Sequence, residues 1–450
     1  MAGSQVDGLV SGLSTSSMIA SLMQVEAAPQ TRLKTKLSTA QNVVSSYQSV
    51  NAKLVALKNA SADVGALSTW RSIKPTSNSS TVTATAIGGT NTTTGSLSFD
   101  VIDLAKGQSN TARVAPSGDV TTADSFSVQI GTADPVTITL TDKSAQGISD
   151  ALNKAGIGVK ASVVTTGGAT NVLQLSSAKT GTANGFTITG LDDVGMTTNP
   201  ATDALLQVGG TDAEGGFSVT SGTNTFTGLM AGVTVTVAKK ETGVTLNVES
   251  DVSNMASKFQ ALVDAANAAL TEVTNQTKYD PSTKVGSPLT GDFMVRQMSQ
   301  SILSAVSQGL SYDDPNFVAD PGDPSKKADK IAFGSLSKFG ISLDRSGQLS
   351  FDKDKFTATY NADPAAIKTA GIALGDTFRA VANNQISNVT SAITGRKSTI
   401  DAFTTQISNW DVRLVAKQAA LQKTYTSLET ALGKLQSQST WLSGQISSLG

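Results

Sequence analysis

Ile386, Ile393, Ile400, Ile407, Leu414, Leu421, Leu428, Leu435, Leu442 and Leu449 stand seven residues apart in an unbroken aliphatic row. A straight helix drifts off a strict seven-residue repeat, so a row this long predicts a left-handed supercoil against another helix. A companion row lies three residues further on at Val389, Phe403 and Trp410, then four further on at Tyr425, Leu432 and Ile446. The seam is therefore two rows wide and shifts sides, which predicts a change of partner along its length. Gly395 is the expected place for a break. An ordinary helix on a globular core would carry a wider apolar stripe. From Thr426 onward the only charged side chains are Glu429 and Lys434. Solvated coiled coils carry charged flanking positions, whereas Ser, Thr and Gln fill them here, so this end is built to be enclosed by protein.

The other terminus has the same character. Gly8-Leu9-Val10-Ser11-Gly12-Leu13 alternates glycine with aliphatics, and a hydroxyl cluster follows. Thr15 or Ser16 is expected to cap a helix beginning near Ser17, burying Met18, Ile19, Leu22 and Met23 and running to Pro29. Between Asp7 and Arg32 the only charge is Glu26. Two uncharged, apolar-striped ends are natural partners for each other. The candidate assembly interface is accordingly Leu9, Leu13, Met18, Ile19, Leu22 and Met23 with Ile407, Leu414, Leu421, Leu428, Leu435, Leu442 and Ile446. Helices with this Ser/Thr content are marginal in water unless packed. The helix resumes from Leu33 with Leu37, Val44, Tyr47, Leu54, Leu57 and Val64 inward, and ends near Trp70.

Composition limits the chemistry. The 450 residues suffice for several domains, and the net charge of -1 gives no attraction for nucleic acid. There is no Cys and no His, which removes disulfides, thiolate metal sites and the commonest general base. Aromatics make up 5% of the chain, so the cores are expected to be thin. No apolar run approaches the ~20 residues of a membrane span. The N-terminus lacks the basic start of a secretory signal, which predicts either a cytoplasmic protein or export without a cleaved signal peptide.

From residue 76 to about 245 the period changes to two. Thr81–Thr85, Leu97–Val101, Phe126–Ile130, Val136–Leu140, Phe186–Ile188 and Val233–Val237 alternate, with Gly, Asn and Asp between them. These read as antiparallel strands with one wet face. A short helix is expected over Ser144–Asn153. Pro75 and the polar run after it read as a boundary. Helices follow over Val252–Thr274 and over Phe293–Gln308, the latter capped by Asp292. Asp313–Lys330 reads as a loop. Phe339–Asp352 reads as a hairpin turning at Ser346-Gly347, with helices after it over Lys353–Tyr360 and from near Ala365.

The segment Gly8–Leu13 followed by Thr15, Ile19, Leu22, Met23, Glu26 and Pro29 resembles the N-terminal signature of the bacterial flagellar filament cap family, hook-associated protein 2. Gly340-Ile341 through Leu349 and Asp352 resembles a second family segment, as do Asp103-Leu104-Ala105 and Ala231–Thr234. Ser144–Asn184 resembles a module repeated in flagellins and hook-associated proteins. Ser14 stands where the family has Asp, a swap that keeps a capping side chain. With the periodicities, the resemblance implies an α+β multidomain fold. Residues 1–45 and 405–450 would form a coiled-coil leg. Residues 46–75 and 246–404 would form a helix-rich middle domain. Residues 76–115 and 205–245 would form one β-rich head domain, with 116–204 inserted as a second. It also implies a homo-oligomeric ring, a pentamer among the stoichiometries it allows, at the distal end of the flagellar filament. There the ring would retain flagellin and promote its polymerisation. Other implied partners are the hook-filament junction proteins, the flagellar type III export apparatus and an export chaperone.

No catalytic site, cofactor site or metal site is expected. Ser335-Leu336-Ser337-Lys338 and Lys179-Thr180-Gly181 match fragments of penicillin-recognising serine enzymes, but in reversed order and without Ser-Asp-Asn. The carboxylates between Asp313 and Asp329 miss the calcium-loop spacing. A surface adhesin, with the β-rich part as binding head on a coiled stalk, is the alternative; its isolated 76–245 fragment should bind cells or glycans unaided.

Overall fold

The computed structural model describes residues 12, 14–88, 92–314, 316–318 and 328–448. The chain divides into two compact units, residues 1–66 with 256–450, and residues 67–255. The helices are α1 (Thr15–Glu26), α2 (Ala28–Gly65), α3 (Leu67–Trp70), α4 (Ala145–Ala155), α5 (Val252–Thr277), α6 (Phe293–Ser307), α7 (Lys353–Ala362) and α8 (Pro364–Ser447).

In the first unit, α2 and α8 pack along one another. The buried positions of α2 include Val44, Tyr47, Val50, Leu54, Leu57, Ser61 and Val64, three or four residues apart, as one helical face requires. α8 runs for 84 residues, which corresponds to about 125 Å. It passes through Gly395 without the expected break. One glycine costs a helix about 1 kcal/mol, too little to interrupt a ladder anchored on both sides. The α1–α2 interruption is also narrower than expected. Only Ala27 separates the two helices, and Pro29 sits in the first turn of α2, where its missing N–H costs no hydrogen bond. The N-cap of α1 is Ser14, not Thr15 or Ser16.

The aromatics are concentrated rather than spread thin. Phe259 of α5 lies 5.2 Å from Phe339 and 4.7 Å from Phe356 of α7, ring centre to ring centre. Phe333 stacks on Phe339 at 4.7 Å. Three small hairpins decorate this unit: β16 (Tyr279–Asp280) with β17 (Val285–Gly286), β18 (Leu310–Asp313) with β19 (Lys330–Gly334), and β20 (Ile341–Leu343) with β21 (Leu349–Phe351). The expected Ser346-Gly347 turn is present, and the Asp344 carboxylate accepts from the Ser346 and Gln348 amides to hold it. Both ends of the expected 313–330 loop are strand, with Lys330 and Asp313 paired at 2.6 Å.

The second unit carries β1 (Ile73–Ser77), β2 (Val82–Ala86), β3 (Gly95–Asp103), β4 (Ser109–Val114), β5 (Ser125–Ile130), β6 (Val136–Thr139), β7 (Val159–Thr165), β8 (Asn171–Ser177), β9 (Phe186–Thr189), β10 (Thr197–Asn199), β11 (Ala204–Val208), β12 (Phe217–Ser221), β13 (Thr225–Thr227), β14 (Val233–Val237) and β15 (Glu241–Ser250). All pair antiparallel. The sheets β1-β15-β3-β11-β12 and β13-β14-β2 enclose one core around Phe99, Leu206, Val235 and Leu246. The sheets β10-β4-β8-β7 and β6-β5-β9, with α4 across them, enclose a second around Phe126, Ile148, Leu152 and Leu173. Ala112 and Val114, expected from the sequence to fold with residues 76–115, belong to that second core. Pro75 lies inside β1, not at a boundary. β1 is an edge strand, where a residue without an N–H is tolerated.

Candidate assembly interface

The terminal helices form an antiparallel pair whose register can be read from polar contacts. Gly65 at the end of α2 lies against Gly375 of α8. At the start of α2, the Gln30 amide donates to the Asp411 carboxylate at 2.5 Å and to the Ile407 carbonyl at 3.4 Å. At the end of α1, Glu26 pairs with Lys417 at 3.2 Å. Carried on to the start of α1, that register sets Thr15 against the Glu429 turn, and both residues are buried.

The covered face of α8 follows the aliphatic row only partway. Ile400, Phe403, Ile407, Trp410 and Leu414 alternate three and four residues apart and are half-buried. Beyond them the covered positions include Leu421, Tyr425, Glu429 and Leu432. Steps of four rotate the face, so Glu429 (8% exposed) turns inward where Leu428 (47%) turns out. Arg413 stacks over the Trp410 ring at 4.9 Å, which shields one flank of the seam.

Of the expected interface residues, Ile19 is buried, Met18, Met23, Ile407, Leu414 and Leu421 are half-buried, and Leu22 is exposed. Leu435, at 60%, and Leu442, Ile446 and Trp441 with it, are also exposed, past the first described turn of α1. Leu9 and Leu13 lie outside the described residues. Sequence reasoning missed Gln30 and Glu429, two polar residues at buried positions. Glu429 as one of only two charges after Thr426 was the available signal for the second.

The motif fragments have structural roles. The Ser335 hydroxyl caps the short helix Leu336–Phe339 by accepting from the Ser337 amide. Lys338 donates to the Phe333 carbonyl at 2.7 Å and lies over its ring. Within the second unit, the Thr180 hydroxyl donates to the Gly222 carbonyl. Among the described residues no helix is long and apolar enough to cross a membrane.

Residues 201–437 match the family model for the flagellar hook-associated protein 2 C-terminus, and residues 11–108 match that for its N-terminus. The chain belongs to the flagellar hook-associated protein 2 family. Residues 109–200, which hold most of the second core, lie outside both matches. Among curated members of the hook-associated protein 2 family, that of Escherichia coli K12 is 24% identical over 97% of both chains. The Salmonella typhimurium protein is 26% identical over 71% of both. The crystal structure of the D1-D2-D3 domains of the Escherichia coli flagellar cap protein has the same fold, with a TM-score of 0.57 at 24% identity. It covers 78% of this chain, and 99% of its own length is matched.

Proposed function

We propose that this chain caps the distal end of the flagellar filament as a homo-oligomeric ring, retaining flagellin and promoting its polymerisation. The observation that carries the reading is the far end of α8, where Leu428, Leu435, Trp441, Leu442 and Ile446 are exposed on a stretch whose only charges after Thr426 are Glu429 and Lys434. Apolar surface of this kind is covered by other chains, and a surface without charges fits neighbours that re-pair as subunits are added. Met18, Leu22 and Met23 of α1 extend that interface on the facing helix, and Leu9 and Leu13 join it in this reading on sequence alone. The role is structural and needs no catalysis. Flagellin and the hook-filament junction proteins are the partners in this reading. The export apparatus delivers the chain unfolded through the flagellum, with a chaperone. An adhesin role is not favoured by family membership.

Leu435→Glu tests the reading in motile cells that carry no other copy of the chain. Filaments should fail to grow and unpolymerised flagellin should appear in the medium, while the circular dichroism of the purified variant stays unchanged. Full-length filaments and normal swimming with Leu435→Glu would overturn it.

A further inference from the structure

The second core opens on one side into a cavity of ≈ 490 Å³ lined by residues of β4, β9, β10 and the segment leading into β10, among them Asn110, Ile188, Met196 and Thr198. β9 pairs only with β5, so its other edge faces this cavity. Gly131 donates to the Gly185 carbonyl at 2.8 Å, which fixes the alternation of that ladder. Thr187 and Thr189 turn their peptide groups to β5, while Phe186 and Ile188 turn theirs outward.

The two outward positions differ. At Phe186 the side-chain amide of Gln108 acts as a strand would: Phe186 N–H donates to Oε1 at 3.0 Å, and Nε2 donates to the Phe186 carbonyl at 2.5 Å. The same device recurs elsewhere. The Asn153 amide takes both backbone groups of Ala161 on the edge of β7, and the Asn267 amide takes both of Leu349 on β21. At Ile188 no such amide is present, and its N–H and C=O have no partner among the described residues. Beside it, Asn110 is 6% exposed and accepts from Gln108 Nε2 at 3.0 Å. That bond uses only its Oδ1. Both hydrogens on Asn110 Nδ2 are without an acceptor among the described residues, and the atom itself opens on the cavity rather than being sealed in the core, so an acceptor that enters there can reach it.

We infer that this cavity binds an extended polypeptide segment, which adds to the edge of β9 as a short strand. One peptide group of the segment pairs with the N–H and C=O of Ile188, as the Gln108 amide does with Phe186. A neighbouring carbonyl of the segment accepts from Asn110 Nδ2. Met196 and Leu191 supply an apolar wall for one side chain, and main-chain bonds with a side-chain pocket are the usual chemistry of strand addition. The three amide-capped strand positions show that an amide is the group these edges accept. The proposal stands independently of the cap reading.

The test is an amide-resolved NMR titration of the full chain, deuterated and ¹⁵N-labelled, with the blocked peptide acetyl-(Ser-Val)3-amide. The Ile188 amide and the Asn110 side-chain amide should shift together and saturate, and hydrogen exchange at Ile188 should slow. Asn110→Ala should weaken the binding about tenfold, the loss of one well-made hydrogen bond. Wild-type chain whose Ile188 amide does not respond up to about 10 mM peptide, beyond even weak binding, would overturn the proposal. So would equal shifts at every exposed strand edge, or binding undiminished by Asn110→Ala. N-acetylglucosamine supplies an amide without a peptide chain, and saturation by it but not by the peptide would refute the polypeptide assignment.

Discussion

Gly375 of α8 lies so close to Gly65 of α2 that a Cβ built on Gly375 would stand 2.4 Å from the Gly65 nitrogen and 2.6 Å from the Ser61 carbonyl oxygen. Both obstacles are backbone, which cannot rotate away. Gly375→Ala therefore has to push the two helices apart, at a cost of about 1–3 kcal/mol. Gly395, on the same helix, has nothing within 4 Å of its would-be Cβ. Gly395→Ala should instead stabilise by about 0.5–1 kcal/mol through helix propensity. Thermal melts followed at 222 nm compare the two, and equal effects from both would contradict the close crossing.

Tyr47 of α2 donates its hydroxyl to the carboxylate of Asp292, whose other oxygen accepts from the Val295 amide to cap α6. Burial first, then the bond to Asp292, pushes the phenol up to about 12. A raised pKa means that the folded state holds its proton more tightly than the unfolded chain, with its ordinary value near 10. The contribution is complete below pH 10 and is lost as pH rises towards 12. Tyr47→Phe should cost about 1.5–3 kcal/mol at neutral pH, the range for a hydrogen bond to a charged group. It should also flatten the alkaline limb of the stability curve, which urea melts at stepped pH would measure.

Acid acts through other groups. The Ser282 hydroxyl and amide hold the Asp280 carboxyl down to about 2. Ser346 and the Gln348 amide lower that of Asp344, and Ser49 with Gln276 lowers that of Glu272. Depressed carboxyls stabilise above their unfolded values near 4 and lose that contribution as pH falls through the folded ones. Stability of the helical unit should be level from pH 7 to about 5 and decline below about 4. Asp344→Asn should make that decline shallower in acid melts; an unchanged slope would remove Asp344 from the account.

Gln108 bonds through both ends of its amide across 78 residues of chain, to Phe186. Gln108→Leu keeps the bulk and strands the Phe186 N–H and C=O in a buried site, at about 1–3 kcal/mol for each group left unmade. The Phe186 amide should lose its protection in hydrogen exchange, while Leu246 in the other core of that unit should keep its own. Loss of protection at both would mean that the two cores unfold as one.

Local patterns carried much of this fold. The long C-terminal helix, the Thr/Val strands, the Asp292 cap and the Asp344 turn each follow from neighbours in sequence. What stayed hidden depends on partners far along the chain. The row through Leu428 looks continuous because leucines recur every seven residues. Which of Leu428 and Glu429 is covered depends on where α1 begins and how the straight helix drifts beneath it. Pro75 reads as a breaker unless β15 is known to lie on only one side of it. The amides of Gln108, Asn153 and Asn267 carry no local signature, because their strand edges are assembled from distant segments.

Along α8 the hydroxyls of Thr399, Thr404, Thr405, Thr424, Thr430, Ser437, Thr440 and Ser447 each donate to the carbonyl four residues back. A side chain whose proton is already committed within its own helix makes little demand on solvent. These hydroxyls can therefore lose water without becoming orphaned donors, and regain it with equal ease. Lys and Glu in those places would have demanded a counter-charge from every neighbour.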